Sequence, residues 1–166
     1  LHVDATTQKH LEIIQNRHGG KENTLLSIIE HTASVMGQRL LRQWLLRPTR
    51  NRQTLNDRQQ AITAFKNHEH LKNIRLALEK IRDIERIAGR IALKSATPKD
   101  LVQLKHTLAH IPEIQTYMNA SLNRHLAAFS GNLTAQPNWV NLLDRALVEE
   151  PPHHLRDGGV IASGYD

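Results

Sequence analysis

The sequence contains no cysteine, so neither disulfides nor thiolate metal centres can hold it together. Aromatic residues are scarce. Two Phe, two Tyr and two Trp are too few for a stacking platform of the kind that reads single-stranded nucleic acid. No run of roughly 18 apolar residues occurs, and no charged leader followed by an apolar stretch and a small-residue cleavage site opens the chain. Neither a membrane span nor a secretory signal is therefore expected, and the expected setting is soluble and cytoplasmic. Blocks of five or more cations are also missing, because opposite charges alternate, as in Arg82-Asp83, Glu85-Arg86 and Lys99-Asp100.

What is present is an ordinary globular composition of 166 residues, 39% of them apolar, enough for one core. Lys and Arg number 22 against 16 Asp and Glu, a net charge of +6, which favours anionic partners and nucleic acid first among them. The densest cation group is Arg39, Arg42, Arg47, Arg50 and Arg52. These are the candidate contacts to phosphates or to neighbouring domains, with a solvated helix face as the plainer reading. The chain starts at Leu1 without an initiator Met and stops at Asp166 after a Gly-rich segment, so residues 1–166 are expected to be a piece of a longer polypeptide.

The periodicity is helical throughout. Asp4 and Thr6-Thr7 suit a helix start before Leu11 and Ile14, where a short strand or a turn of helix fits, and His18-Gly19-Gly20 reads as a loop. A brief helix is expected through Leu25, Ile28 and Ile29. A stronger one carries Met36, Leu40, Leu41, Trp44 and Leu45 on one side until Pro48 stops it. Leu40, Leu41 and Trp44 are the expected packing seam. Gly37, inside that helix, suggests close approach by another backbone segment.

Helical spacing resumes near Asn51 through Leu55, Ile62 and Phe65, then from Leu71 to Ile91 with a break near Arg82-Asp83. Thr97-Pro98-Lys99-Asp100 is the clearest start signal, opening a helix lined by Leu101, Leu104, Leu108 and Ile111, with Pro112 expected to end it and begin another turn. Residues 131–137 read as turns. Pro137 then opens a short amphipathic helix through Val140, Leu143 and Leu147, stopped by Pro151-Pro152. Only Gly159-Val160-Ile161 has strand character. The fold class is all-α, with seven or eight mostly antiparallel packed helices and at most a marginal short strand at either end.

No motif for chemistry holds up. Gly19-Gly20-Lys21 lacks the earlier glycine of a phosphate loop, where Gln15 stands, and is followed by Glu22 in place of Ser or Thr. His106 and His110 share a helix face but form only half of a metal site, and His153-His154 diverge on most backbones. Glu149-Glu150 are expected to be exposed and thus unsuited to acid and base work, while Ser163 lacks a nucleophile frame. No catalytic, cofactor-binding or metal-binding residue is expected.

Ordered landmarks carry a resemblance. They run from Asp4-Ala5-x-Thr7 with Leu11-Glu12, through Gly19-Gly20-x-x-x-Thr24-Leu25-Leu26 and Met36-Gly37-x-Arg39-Leu40-Leu41-x-x-Trp44-Leu45-x-x-Pro48, to Arg58-Gln59-x-Ala61-Ile62. Further on stand Asp83-Ile84-Glu85-Arg86-Ile87 with Arg90, Pro98-x-Asp100-Leu101, Pro151-Pro152 and the segment from Arg156 to Asp166. In this order and spacing the chain resembles the central core, or lever, of the MutS family of bacterial DNA mismatch-repair proteins. Gln38, Thr49 and Thr97 depart from the family pattern, and residues 121–138 match it least.

The resemblance implies a helical connector in a homodimeric parent that clamps mismatched double-stranded DNA. It also implies ATP and Mg bound in a separate domain, a MutL-type repair partner, and a cytoplasmic, nucleoid-associated setting. The clamp and ATPase domains are not represented in residues 1–166. On this reading Leu40, Leu41, Trp44 and Pro48 are structural. The main alternative is a free-standing helical nucleic-acid-binding module, which would bind duplex DNA alone with steep salt dependence. A histidine-metal hydrolase is a more distant one.

Overall fold

The computed structural model describes residues 3–66, 69–119, 124–152 and 155–165; of Arg124 and His125 it describes the backbone only. Nine α-helices, a short 3-10 helix at Leu155–Asp157 and a single isolated β-bridge account for the regular structure among these residues, so the chain is all-α. The chain divides into two compact units, Leu1–Lys66 and Asn67–Asp166.

In the first unit, short polar side chains set the helix starts. Asp4 accepts the amide of Thr7 at 2.9 Å and opens α1 (Ala5–His10). The loop that follows is organised by Asn16, whose side-chain oxygen accepts from His18 and Gly20 at 3.0 and 2.8 Å. Thr24 and Ser27 form a reciprocal capping box at the head of α2 (Leu25–Ile29), satisfying amides that a helix start leaves open. The Leu25 and Leu26 amides reach back to the carbonyls of Glu12 and Ile13, seating α2 on the loop. Ser34 caps α3 (Val35–Leu46) through the Gly37 amide, and the helix ends ahead of Pro48. Asn51 accepts from Thr54 at the start of α4 (Arg52–Lys66).

Two expectations change here. A side chain at Gly37 would meet the Oγ of Ser34 at 3.2 Å and the side chain of Thr32 beyond it, so the crowding comes from the helix's own cap and not from another backbone segment. The face of α3 is also more open than a core seam. Leu40 is 45% exposed and Trp44 38%, while Leu41, Leu45 and Pro48 are half-buried. The guanidinium of Arg58 on α4 lies 3.5 Å from the Trp44 ring centroid and covers part of it.

In the second unit, α5 (Leu71–Glu79), α6 (Ile84–Ala92), α8 (Arg124–Asn132) and α9 (Pro137–Ala146) all pack on α7 (Pro98–Asn119). The break between α5 and α6 falls where the charges at 82 and 83 predicted it. Asp83 caps α6, and the Arg82 amide donates to the fully buried hydroxyl of Thr107 on α7 at 3.1 Å. The core is drawn from several helices and includes Ile74, Ala77, Ile87, Ile114, Met118 and Leu126, with Leu104 and Leu108 half-buried.

Pro112 does not end α7. The helix runs through it to Asn119, with the Thr116 hydroxyl bonded back to the Pro112 carbonyl at 2.8 Å. Packing of α5, α6, α8 and α9 along this helix outweighs the local loss of one backbone bond. Of residues 131–137, expected to be turns, Gly131 and Asn132 instead close α8, in which Leu126 and Ser130 are buried. Helix α9 ends at Ala146, short of Pro151-Pro152, because Leu147 leaves the helix to pair with Ile161. The Val148 and Ala162 amides donate to the carbonyls of Val160 and Ala146, and Leu147 and Val160 join Val102 in a small apolar cluster.

Candidate functional site

The five candidate arginines lie on two helices and the connection between them. Arg39 and Arg42 stand three apart on α3, Arg47 caps its C-terminal end, Arg50 lies in the connection, and Arg52 begins α4; all are exposed. Arg39 and Arg42 line a cleft of about 300 Å³ in the first unit, facing Lys21 from the Gly19-Gly20 loop. Ile14 and Leu26 supply apolar wall, and Glu30 is the one carboxylate. Its oxygens are engaged by donors: Oε1 accepts from the Thr32 hydroxyl at 2.5 Å and the Thr32 amide at 3.1 Å, and Oε2 from Gln38 at 3.1 Å. The Thr32 hydroxyl above all holds the Glu30 carboxyl below its ordinary pKa.

The second unit contributes two ionic ties beyond the sequence-based expectations. Arg90 on α6 reaches Asp100 in the first turn of α7 with Nη1 2.6 Å from Oδ1. Asp100 is buried and also accepts the amide and hydroxyl of Thr97, both at 2.9 Å. Burial is the largest influence on its carboxyl and raises the pKa, but Arg90 and the Thr97 donors together outweigh it and hold the group below the usual range.

Lys105 on α7 is 5% exposed, yet its Nζ lies 2.9 Å from Glu149 Oε2 and 3.2 Å from Asp144 Oδ1. The bond from Glu149 chiefly raises the Lys105 pKa against the opposing effect of burial. Glu149 is exposed as expected but not idle, since its other oxygen lies 3.3 Å from His106 Nε2. One lysine thus ties α9 and the segment after it to α7. A lysine at a position that helical periodicity assigns to the packed face was the available signal.

The remaining chemistry candidates stay scattered. His110 turns its Nδ1 to the carbonyl of His106 at 2.7 Å, although both residues border an open groove of about 720 Å³ between α5 and α7. No group of three or more metal-ligating side chains occurs among the described residues, outside which His153 and His154 lie. Ser163 sits exposed in a turn. Among the described residues no helix is long and apolar enough to cross a membrane.

In the second unit these features describe a helical scaffold cross-tied by charge and organised around one long helix. The family model of MutS domain III matches residues 6–163, and the chain belongs to this family, the connector domain of mismatch-repair proteins.

Proposed function

We propose that the chain is the lever of a mismatch-repair protein, passing rigid-body movement between a nucleotide-binding part and the parts that grip mismatched duplex DNA. The observation that carries this reading is the arrangement around α7. A 22-residue helix receives α5, α6, α8 and α9, and ionic ties at Asp100 and Lys105 fix its neighbours to it. Close-packed helices shift between discrete arrangements instead of bending smoothly, so a displacement at one end of such a bundle is delivered to the other.

The chemistry of the parent belongs elsewhere on this reading. The Gly19-Gly20-Lys21 loop does not fit an ATP-Mg site: it lacks phosphate-loop spacing and precedes a five-residue helix capped by its own side chains. A second copy of the parent and a MutL-type repair partner are proposed on family grounds, as is a cytoplasmic, nucleoid-associated setting.

The test is made in the complete protein. Asp100→Asn and Lys105→Met should keep ATP binding and DNA binding as separate activities while weakening the effect of each ligand on the other. Undiminished coupling in variants that remain folded would remove the lever role. Specific, steeply salt-dependent duplex binding by residues 1–166 alone would favour the free-standing nucleic-acid module.

A further inference from the structure

We propose that the cleft bordered by Lys21, Arg39 and Arg42 in the first unit binds a phosphate-bearing anion. This inference stands apart from the lever reading, since it concerns a ligand site and not the transmission of movement. Three cations meet there against one carboxylate, and they come from two separate places in the chain, the Gly19-Gly20 loop and α3. Residues three apart lie on one helix face, so Arg39 and Arg42 border the same cleft. Guanidinium groups bind phosphate oxygens in pairs of parallel hydrogen bonds, and an ammonium such as that of Lys21 adds a compact charge beside them.

Glu30, the cleft's own anion, accepts from Thr32 at one oxygen and from Gln38 at the other, so part of its hydrogen-bonding capacity is taken by uncharged donors. The volume of about 300 Å³ is at the lower bound of small-molecule sites, roughly 300–1,000 Å³, which suits one or two phosphate groups with a small attached moiety against Ile14 and Leu26. Recognition here uses side chains, so it does not require the backbone cradle that the Gly19-Gly20 loop fails to supply.

The shared chemistry is the phosphate group, whose source is either a small free phosphate compound or the backbone of a nucleic acid. Calorimetric titration of the whole chain at low ionic strength separates them, with pyrophosphate as the compact probe and a short duplex DNA as the extended one. Pyrophosphate is expected to bind, with affinity falling about tenfold or more in Lys21→Gln and in Arg42→Gln as a charge-assisted hydrogen bond is removed. Arg145→Gln, on α9 and outside the cleft, should bind as the parent does, and Glu30→Gln should bind more tightly. Duplex binding without pyrophosphate binding, weakened by the same two substitutions, would assign the site to a nucleic-acid backbone. Failure of both probes to bind, or binding indifferent to Lys21→Gln and Arg42→Gln in variants with unchanged circular dichroism, overturns the proposal.

Discussion

Arg90 Nη1 lies 2.6 Å from Asp100 Oδ1, joining α6 to the first turn of α7 through a carboxylate that is itself buried. That carboxylate also completes the cap of α7 with Thr97, so one side chain serves a helix start and a contact between helices.

Asp100→Ala should therefore lose both roles. Removing a cap costs about 1 kcal/mol, and breaking a buried pair costs several more; with Arg90 partly in solvent, a total of roughly 2–3 kcal/mol in urea denaturation is expected. The folded pKa of Asp100 is depressed, so its contribution is present above the unfolded value near 4 and disappears as pH falls through the lower folded value. Asp100→Asn should flatten that acid limb of the stability profile. An unchanged profile would show that Asp100 is not the group responsible.

Lys105→Met keeps the apolar stem but removes the ammonium from Asp144 and Glu149. A loss of about 1–3 kcal/mol is expected, because hydrogen bonds between charged groups are among the stronger ones and both acids can return to water. Glu149→Gln should cost less. Since the folded pKa of Lys105 is raised, its contribution is complete below the unfolded value near 10 and is lost as pH rises through the higher folded value. Thermal melts across alkaline pH should show that limb in the parent and not in Lys105→Met.

Trp44→Ala separates a core seam from an open face. Full burial of a Trp would make truncation cost roughly 3–5 kcal/mol. With the ring 38% exposed and covered by Arg58, about 1–2 kcal/mol is expected in this chain, of which about 0.5–1 kcal/mol belongs to the cation-ring contact. A double-mutant cycle with Arg58→Gln measures the second quantity, and zero coupling would dismiss the contact as energetically inert.

Pro112→Ala should stabilise the protein. Proline inside a helix removes an amide donor and crowds the carbonyl four residues back, at a cost of about 3 kcal/mol in an unconstrained helix. Because α7 already accommodates Pro112 at an exposed position, part of that cost, about 1 kcal/mol or more, is recoverable. A lowered melting midpoint would mean that the local distortion itself supports packing.

Much of the architecture was legible because it is local. The caps at Asp4 and Thr97, the break near Arg82-Asp83 and the stop before Pro48 each depend on residues within a turn or so of the backbone groups they affect. The candidate site was less legible. Arg39 and Arg42 could be placed on one helix, but their meeting with Lys21 depends on a loop held by Asn16, which no periodicity reports. Glu149 was read as merely exposed, since its pairing with Lys105 spans 44 positions of sequence.

The sequence by itself determined the helical class, most helix starts and the family landmarks, for these follow from spacing, capping and composition acting over one or two turns. Only the tertiary structure decided that α7 continues through Pro112, that residues 124–132 form a helix, that Leu147 leaves α9 to pair with Ile161, and that Trp44 lies partly in water. Each of these depends on the balance between a local preference and contacts made by distant residues, and a local preference worth about 1–3 kcal/mol is readily outweighed by packing.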